Sequence, residues 1–190
     1  MTQDQSSNAT IIFIRGIPGS GKSFVAENLV QALEGAKVTL LDPDTIDTQN
    51  PEFIELSKQL EKEGLAKAIH PFRWLRGQAI DAATTGSVTV WNQPFTNQGV
   101  FDRLIAFIRA GAQKHGVSLR VLILEVNTPK EVAYERIMER VNAGGHGPSE
   151  STFLQRVDDY TSFSSDYETI QLDGTKDIKS LISEVTDRLA

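Results

Sequence analysis

The segment Gly16-Ile17-Pro18-Gly19-Ser20-Gly21-Lys22-Ser23 lies between the apolar run Ile11-Ile12-Phe13-Ile14 and a stretch where Phe24, Val25, Leu29, Val30 and Leu33 recur at helical spacing. A short run without polar alternation predicts a strand buried on both faces of a parallel sheet. The spacing after it predicts an amphipathic helix, stopped near Gly35. Between them, small residues let backbone N–H groups turn inward, and the new helix points its positive end at the same spot. That arrangement cradles a phosphate-sized anion. Gly-x4-Gly-Lys-Ser is the spacing that does so with a lysine and a hydroxyl on either side of the anion.

The rest of the chain repeats the strand-then-helix pattern. Further strands are expected at Val38–Leu41, Val88–Trp91, Leu119–Val126 and Thr169–Leu172. Helices are expected through Val100–Ile108, after Thr128-Pro129 with Val132, Ile137, Met138 and Val141 inward, from the Ser149 cap, and over Ile178–Leu189. The stretch 51–85 reads as helices opened by Pro51 and Pro71 and interrupted at Gly64. Alternating strands and helices predict an α/β three-layer αβα sandwich with a parallel sheet of about five strands. Residues 1–9 are expected to be a disordered tail and 10–190 one domain. Within it, about 48–86 would form the acceptor-site segment and about 141–156 a lid.

Composition narrows the function. The 190 residues carry 19 basic and 25 acidic side chains, a net charge of −6, so general duplex nucleic-acid binding through a basic face is not expected. No cysteine is present, which excludes disulfides, thiolate metal sites and a cysteine nucleophile. Three scattered histidines do not suggest a zinc site. There is no apolar run long enough for a membrane span and no signal-peptide pattern, and a cytoplasmic location is expected.

The phosphate loop predicts nucleotide binding, with Mg²⁺ within reach of its hydroxyl. Gly16, Pro18, Gly19, Ser20, Gly21, Lys22 and Ser23 would hold the phosphates, Lys22 reaching the outer ones and Ser23 meeting the metal. Ligands of open parallel sheets sit beyond the carboxyl ends of the strands. Asp42 and Asp44 fall there, after the second strand, and either carboxylate could take the proton of an attacking hydroxyl; Asp42 is also a candidate metal ligand. Cations for developing charge are offered by Arg136 and Arg140, four apart on one helix, and by Arg156 after the Gly-rich segment. The alternative for each arginine is a solvated face paired with Glu135 and Glu139.

In these features the chain resembles P-loop kinases of the zeta-toxin-like, polynucleotide-kinase-like and chloramphenicol-phosphotransferase-like group, with a fold like that of nucleoside-monophosphate kinases. The carrying residues are the Gly16–Ser23 loop, Asp42-Pro43-Asp44, Glu131 through Arg140, and Gly144-Gly145-His146-Gly147-Pro148. The resemblance implies transfer of the γ-phosphate of ATP to a hydroxyl or phosphate of a small-molecule or nucleotide acceptor. It implies Asp44 or Asp42 as base, Arg140 and Arg156 as phosphate clamps, and an antitoxin partner by analogy alone. Two departures stand out. Thr45-Ile46-Asp47 replaces the arginine that usually follows the acidic pair, and the third strand ends in Trp91-Asn92 where an acid is common.

Other residues admit two readings. His70, Arg73 and Arg76 could line an acceptor site or form an ordinary helix surface, and His146 could touch phosphate or ride a loop. Trp74 and Trp91 could stack on a ring, though core packing is the default for tryptophan. Glu125 could be a metal-site acid or a strand-end residue. A nucleotide-binding regulator with slow ATP hydrolysis is the competing function; no guanine-specifying Asn-Lys-x-Asp run occurs. An assembly ATPase with a second helical domain has no room in this length.

Overall fold

A computed structural model of the protein describes residues 7–33, 35–163 and 166–189. Five parallel strands form one sheet: β1 (Ser7–Arg15), β2 (Val38–Leu41), β3 (Val88–Asn92), β4 (Val117–Asn127) and β5 (Glu168–Asp173), in the order β2-β3-β1-β4-β5. Strand pairing starts at Ser7, inside the stretch expected to be tail, because Ser7, Asn8 and Ala9 pair with Val117, Ser118 and Leu119. Residues 1–6 of that stretch lie outside the described residues.

The strand order places β1 at the centre, and the alternation of its side chains builds two cores. Ile12 and Ile14 face α1 (Lys22–Ala32) and α7 (Ile178–Leu189), meeting Val25, Leu29, Leu181 and Val185. Ile11 and Phe13 face α3 (His70–Thr84) and α4 (Gln98–Gln113), meeting Leu75, Ala79, Phe101 and Ile108. Helices therefore cover both faces, which is why β1 carries no polar alternation.

Between β2 and β3 the chain forms α2 (Pro51–Lys62) and then α3, with Asn50 capping the first through its side-chain oxygen. After β4 come α5 (Lys130–Asn142) and α6 (Glu150–Asp158), the latter capped by Ser149. These two pack through a separate small cluster, Ala133, Ile137 and Phe153. Met138 and Val141, expected to point inward, are exposed instead. The physical reason is local: α5 rests on α6 and the phosphate loop by one narrow stripe and not on the sheet.

No helix among the described residues is long and apolar enough to cross a membrane.

Candidate active site

The loop from Gly16 to Gly21 leaves the central strand and enters α1 at Lys22. Its path depends on the absence of side chains. Gly19 has φ +79°, and a Cβ there would lie 2.1 Å from the Ala133 carbonyl oxygen, so α5 packs directly against the loop backbone. Ser20 is fully buried; its carbonyl accepts from Thr128 Oγ1 at 2.9 Å and from Arg136 Nη1 at 3.5 Å. Arg136 also donates to the Gly174 carbonyl at 3.0 Å. Arg136 thus staples the loop to the turn after β5. Gly174 belongs to this contact, since a Cβ there would meet Thr128 Oγ1 at 2.2 Å and the Ser20 carbonyl at 2.7 Å. Sequence reading missed Gly174, for which spacing gives no signal.

Lys22 stands at the floor of a cleft of about 1190 Å³ lined by the loop, Asp42, Asp44, Asn92, Arg136, Arg140 and Arg156. Its ammonium donates to the Ile17 carbonyl at 2.9 Å. Burial lowers its pKa from 10.5 to about 8; Asp42 and Asp44 oppose the drop, and Arg156 and Arg140 reinforce it. Every charged residue named from the sequence as a base, clamp or phosphate ligand except Arg136 therefore acts electrostatically on this one amine.

On one wall, Asn92 at the end of β3 donates from Nδ2 to Ser23 Oγ at 3.1 Å and to Asp42 Oδ2 at 2.6 Å. The other Asp42 oxygen accepts the Asp44 backbone N–H at 2.9 Å, capping a single 3₁₀ turn over Pro43–Thr45. Asp42 is thus engaged on both oxygens. The Asp44 side chain accepts no hydrogen bond and forms no ion pair among the described residues, and it lines the cleft.

Beyond Asn92 the chain turns through Phe95, which has φ +47°. A phenylalanine in the left-handed region costs on the order of 1–3 kcal/mol and persists only where packing holds it. Here Phe95 is gripped edge-on by Phe13 and Phe101, with ring centroids 5.2 Å away in each case, and by Trp91 at 6.0 Å.

The remaining sequence candidates separate cleanly. Trp91 is buried and stacks on Phe13 at 5.6 Å, while Trp74 packs edge-on against Phe53 at 5.8 Å, so both serve the core. His70 is buried and hydrogen-bonded to the Leu65 carbonyl at 3.2 Å, away from the cleft lining. Arg76 and His146 do line the cleft. Glu125 lies in an ion pair with buried Arg15 at 3.2 Å, and its oxygens accept from Tyr160 Oη at 2.9 Å and Gln171 Nε2 at 2.8 Å. The Arg15 guanidinium is also sandwiched by Tyr160 and Phe163, at 4.3 and 3.6 Å from the ring centroids. Glu125 does not line the cleft, and its carboxylate serves Arg15, Tyr160 and Gln171. Arg15, which sequence reading passed over, is its partner.

An open parallel sheet whose central strand feeds a Gly-x4-Gly-Lys-Ser loop defines a P-loop NTPase with a kinase-like fold. More narrowly, the chain belongs to the AAA domain family, whose model matches residues 11–162. No curated protein matches it in sequence. Its fold is similar to that of a gluconokinase from Sinorhizobium meliloti 1021, at 20% identity and TM-score 0.58, covering 95% of this chain and 93% of that one. A sugar kinase from Janibacter sp. HTCC2649 matches at 20% identity and TM-score 0.60, covering 96% and 94%. The APS kinase of Mycobacterium tuberculosis, in complex with AMPPNP and APS, matches at 18% identity and TM-score 0.58, covering 96% and 98%.

Proposed function

We propose that this protein is an ATP-dependent phosphotransferase that moves a γ-phosphate to a hydroxyl of a small molecule or nucleotide. One observation carries the reading: Asp42, Asp44, Arg140 and Arg156 line one cleft with Lys22, all within electrostatic reach of its ammonium. A switch that only hydrolyses slowly has no need of an open carboxylate in the cleft beside its phosphate loop.

In this reading Gly16, Pro18, Gly19, Ser20, Gly21, Lys22 and Ser23 hold the triphosphate, and Arg136 braces the loop from behind. The acceptor oxygen bonds to the γ-phosphorus as the bond to the β–γ bridging oxygen breaks, and ADP leaves with that electron pair. Asp44 takes the acceptor proton, because its carboxylate is open to the cleft while both Asp42 oxygens are occupied. Arg140 and Arg156 face the charge that grows on the phosphoryl oxygens. The segment 48–86 contributes the acceptor wall and 141–156 closes over the donor.

Residues beside Ser23 fit a hard divalent cation. Ser23 Oγ and Asp42 Oδ2 are brought to one point by the Asn92 amide nitrogen, at 3.1 and 2.6 Å, which sets a hydroxyl and a carboxylate oxygen together at the phosphate loop. No cluster of three His, Cys, Asp or Glu side chains occurs among the described residues, which suits Mg²⁺ held mainly by water and phosphate. When bound, Mg²⁺ would screen the phosphate charge. Ser23, held by the Asn92 amide, and Asp42 beside it would be the residues to meet the ion.

The group resemblance to zeta-toxin-like and polynucleotide-kinase-like enzymes rests on the Asp42-Pro43-Asp44 turn and the Gly-rich segment after Arg140, and Asn92 is where this chain departs from it.

The test is an ADP-release screen over hydroxylated acceptors, with product masses. Asp44→Asn should lower kcat by roughly 10²–10⁴-fold with ATP affinity little changed. Asp42→Asn should instead weaken Mg²⁺-dependent nucleotide binding. ADP release independent of any acceptor would leave only the slow-hydrolysis reading. A tenfold or smaller effect of both substitutions would mean that the base lies elsewhere.

A further inference from the structure

Four apolar side chains that helical spacing assigns to cores or surfaces lie along the cleft, uncovered. Phe24 is 57% exposed, Val100 48%, Ile69 42% and Phe72 37%, and all four line the cavity shared with Lys22. They come from the start of α1, the start of α4, and the turn entering α3. An apolar wall facing a phosphate site is not covered by any part of the described chain, and a ligand with an apolar body would remove it from water.

One of the cations lining the same cleft, Arg76, lies away from the phosphate loop in the chain, on α3, and is half-buried. No carboxylate pairs with it, or with Arg73 or Arg103, among the described residues. Its guanidinium carbon lies 5.9 Å from the centroid of the Phe107 ring. Burial holds its pKa below the usual guanidinium value, and the charges of Arg73 and Arg103 push in the same direction. In a chain of net charge −6, three crowded arginines without an acid form a local site of the opposite sign. A guanidinium so placed gains most from a planar or tetrahedral oxyanion, which takes two parallel N–H donors.

Two amide oxygens lining the cleft are already committed to the fold. Asn97 Oδ1 caps α4 by accepting the Val100 N–H at 2.9 Å, and Gln93 Oε1 accepts from Trp91 Nε1 at 3.1 Å. Neither oxygen is left to accept from a ligand hydroxyl.

Resting on the phosphotransfer reading, we propose that the acceptor is a hydroxylated small molecule with an apolar body and a carboxylate or phosphate group, the body against Phe24, Ile69, Phe72 and Val100 and the anion on Arg76. The reacting hydroxyl then projects from the apolar body toward Asp44.

Ligand-observed NMR titration of the full chain tests this without turnover. The probes are 4-(hydroxymethyl)benzoate, 4-(hydroxymethyl)phenyl phosphate, the neutral 1,4-benzenedimethanol, and gluconate as an anion without an apolar body. Both anionic aromatics should bind at least about tenfold more tightly than the neutral diol and than gluconate, the scale of a charge-assisted hydrogen bond. Whichever of the two binds better names the anion. Arg76→Ala should erase the advantage over the diol, and Arg76→Lys should keep part of it. Equal binding of the diol, equal binding of gluconate, or indifference to Arg76→Ala would each overturn the proposal, and the ligand comparison stands even if a variant fails to fold. Parallel ADP release separates the two readings. Arg76-dependent binding with no ADP formed from any acceptor would overturn phosphotransfer and leave the anion site. ADP formed as readily with neutral acceptors would sustain phosphotransfer and remove the anion site.

Discussion

Asn92 and Asp42 meet where β3 and β2 end, the amide nitrogen of one donating to the carboxylate of the other at 2.6 Å. An amide does here what an acid could not, since it approaches a carboxylate without repulsion and still orients the Ser23 hydroxyl. Asn92→Asp should therefore oppose two carboxylates and raise the pKa of one of them in the folded state. An acid whose folded pKa is raised destabilises the fold above its unfolded value, near pH 4, and ceases to do so as pH falls below that. A loss of about 2 kcal/mol at pH 7, or roughly 4–8 °C in Tm, is expected, shrinking toward pH 4. Asn92→Ala should cost stability with no such pH dependence. Thermal unfolding of both variants across pH checks this; a pH-independent loss in Asn92→Asp would refute it.

Lys22 supplies a second pH-dependent quantity. With its free pKa near 8, part of the population is neutral at pH 8–9. A bound triphosphate raises that pKa, so binding takes up a proton. Affinity should then fall as pH rises through about 8, by up to tenfold per unit until the bound pKa is reached. The fold itself shows the opposite sign: a base with depressed pKa lets the unfolded chain bind more protons between about 8 and 10.5, so that contribution to stability grows with pH there. Calorimetry of ATP binding at pH 8.5 in buffers of different ionisation enthalpy measures the proton directly. Lys22→Ala should bind weakly, without this proton uptake, and remain folded by circular dichroism.

The Arg15–Glu125 pair makes a prediction about stability alone. The two residues face each other in the β1–β4 register, and Arg15 is wholly buried. Removing one member leaves a buried charge uncompensated, which costs about 3–5 kcal/mol, whereas an apolar pair of similar volume is often neutral. Glu125→Leu should lower the urea midpoint sharply, and Arg15→Met with Glu125→Leu should recover most of it. A double variant as unstable as the single would show that the pair is not what holds this corner.

Periodicity and turn chemistry made the parallel sheet, the phosphate loop and the capped helices legible, because each depends on a few residues close together in the chain. What escaped depends on distant partners. Arg15 reads as an ordinary strand end until the β1–β4 register sets Glu125 beside it. Phe24 and Val100 satisfy helical spacing, and only the position of the cleft reveals that they face it. Met138 and Val141 fit the apolar stripe of α5, but that helix has little to lie on. Asp42 and Asp44 could not be ranked from the sequence, since the difference between them is the hydrogen bonds that occupy Asp42.

The segment between α5 and α6 is the part of the cleft expected to move. Residues 143–150 include three glycines and a proline and form no regular structure over 145–149. They touch the rest mainly through close backbone approach to α5: a Cβ on Gly147 would lie 2.8 Å from Ile137, and Gly145 N–H donates to the Arg140 carbonyl at 2.9 Å. On the far side α6 is fixed by Phe153, so the loop flexes between two anchored ends. Arg140 and Arg156 stand at those ends, exposed, without an acidic partner among the described residues, yet near enough to depress the pKa of Lys22. Their mutual repulsion with that amine is relieved when phosphate enters, which favours a closed position only in the loaded state. Amide hydrogens of 141–156 should exchange quickly in the free protein and slowly with a non-hydrolysable ATP analogue plus acceptor. Arg140→Ala and Arg156→Ala should each lower kcat by roughly 10²–10³-fold, the scale for losing one stabiliser of developing charge, with smaller effects on ATP affinity. Equal exchange in both states, together with unimpaired arginine variants, would make this segment a plain connection between two helices and leave transfer to the phosphate loop and the aspartates.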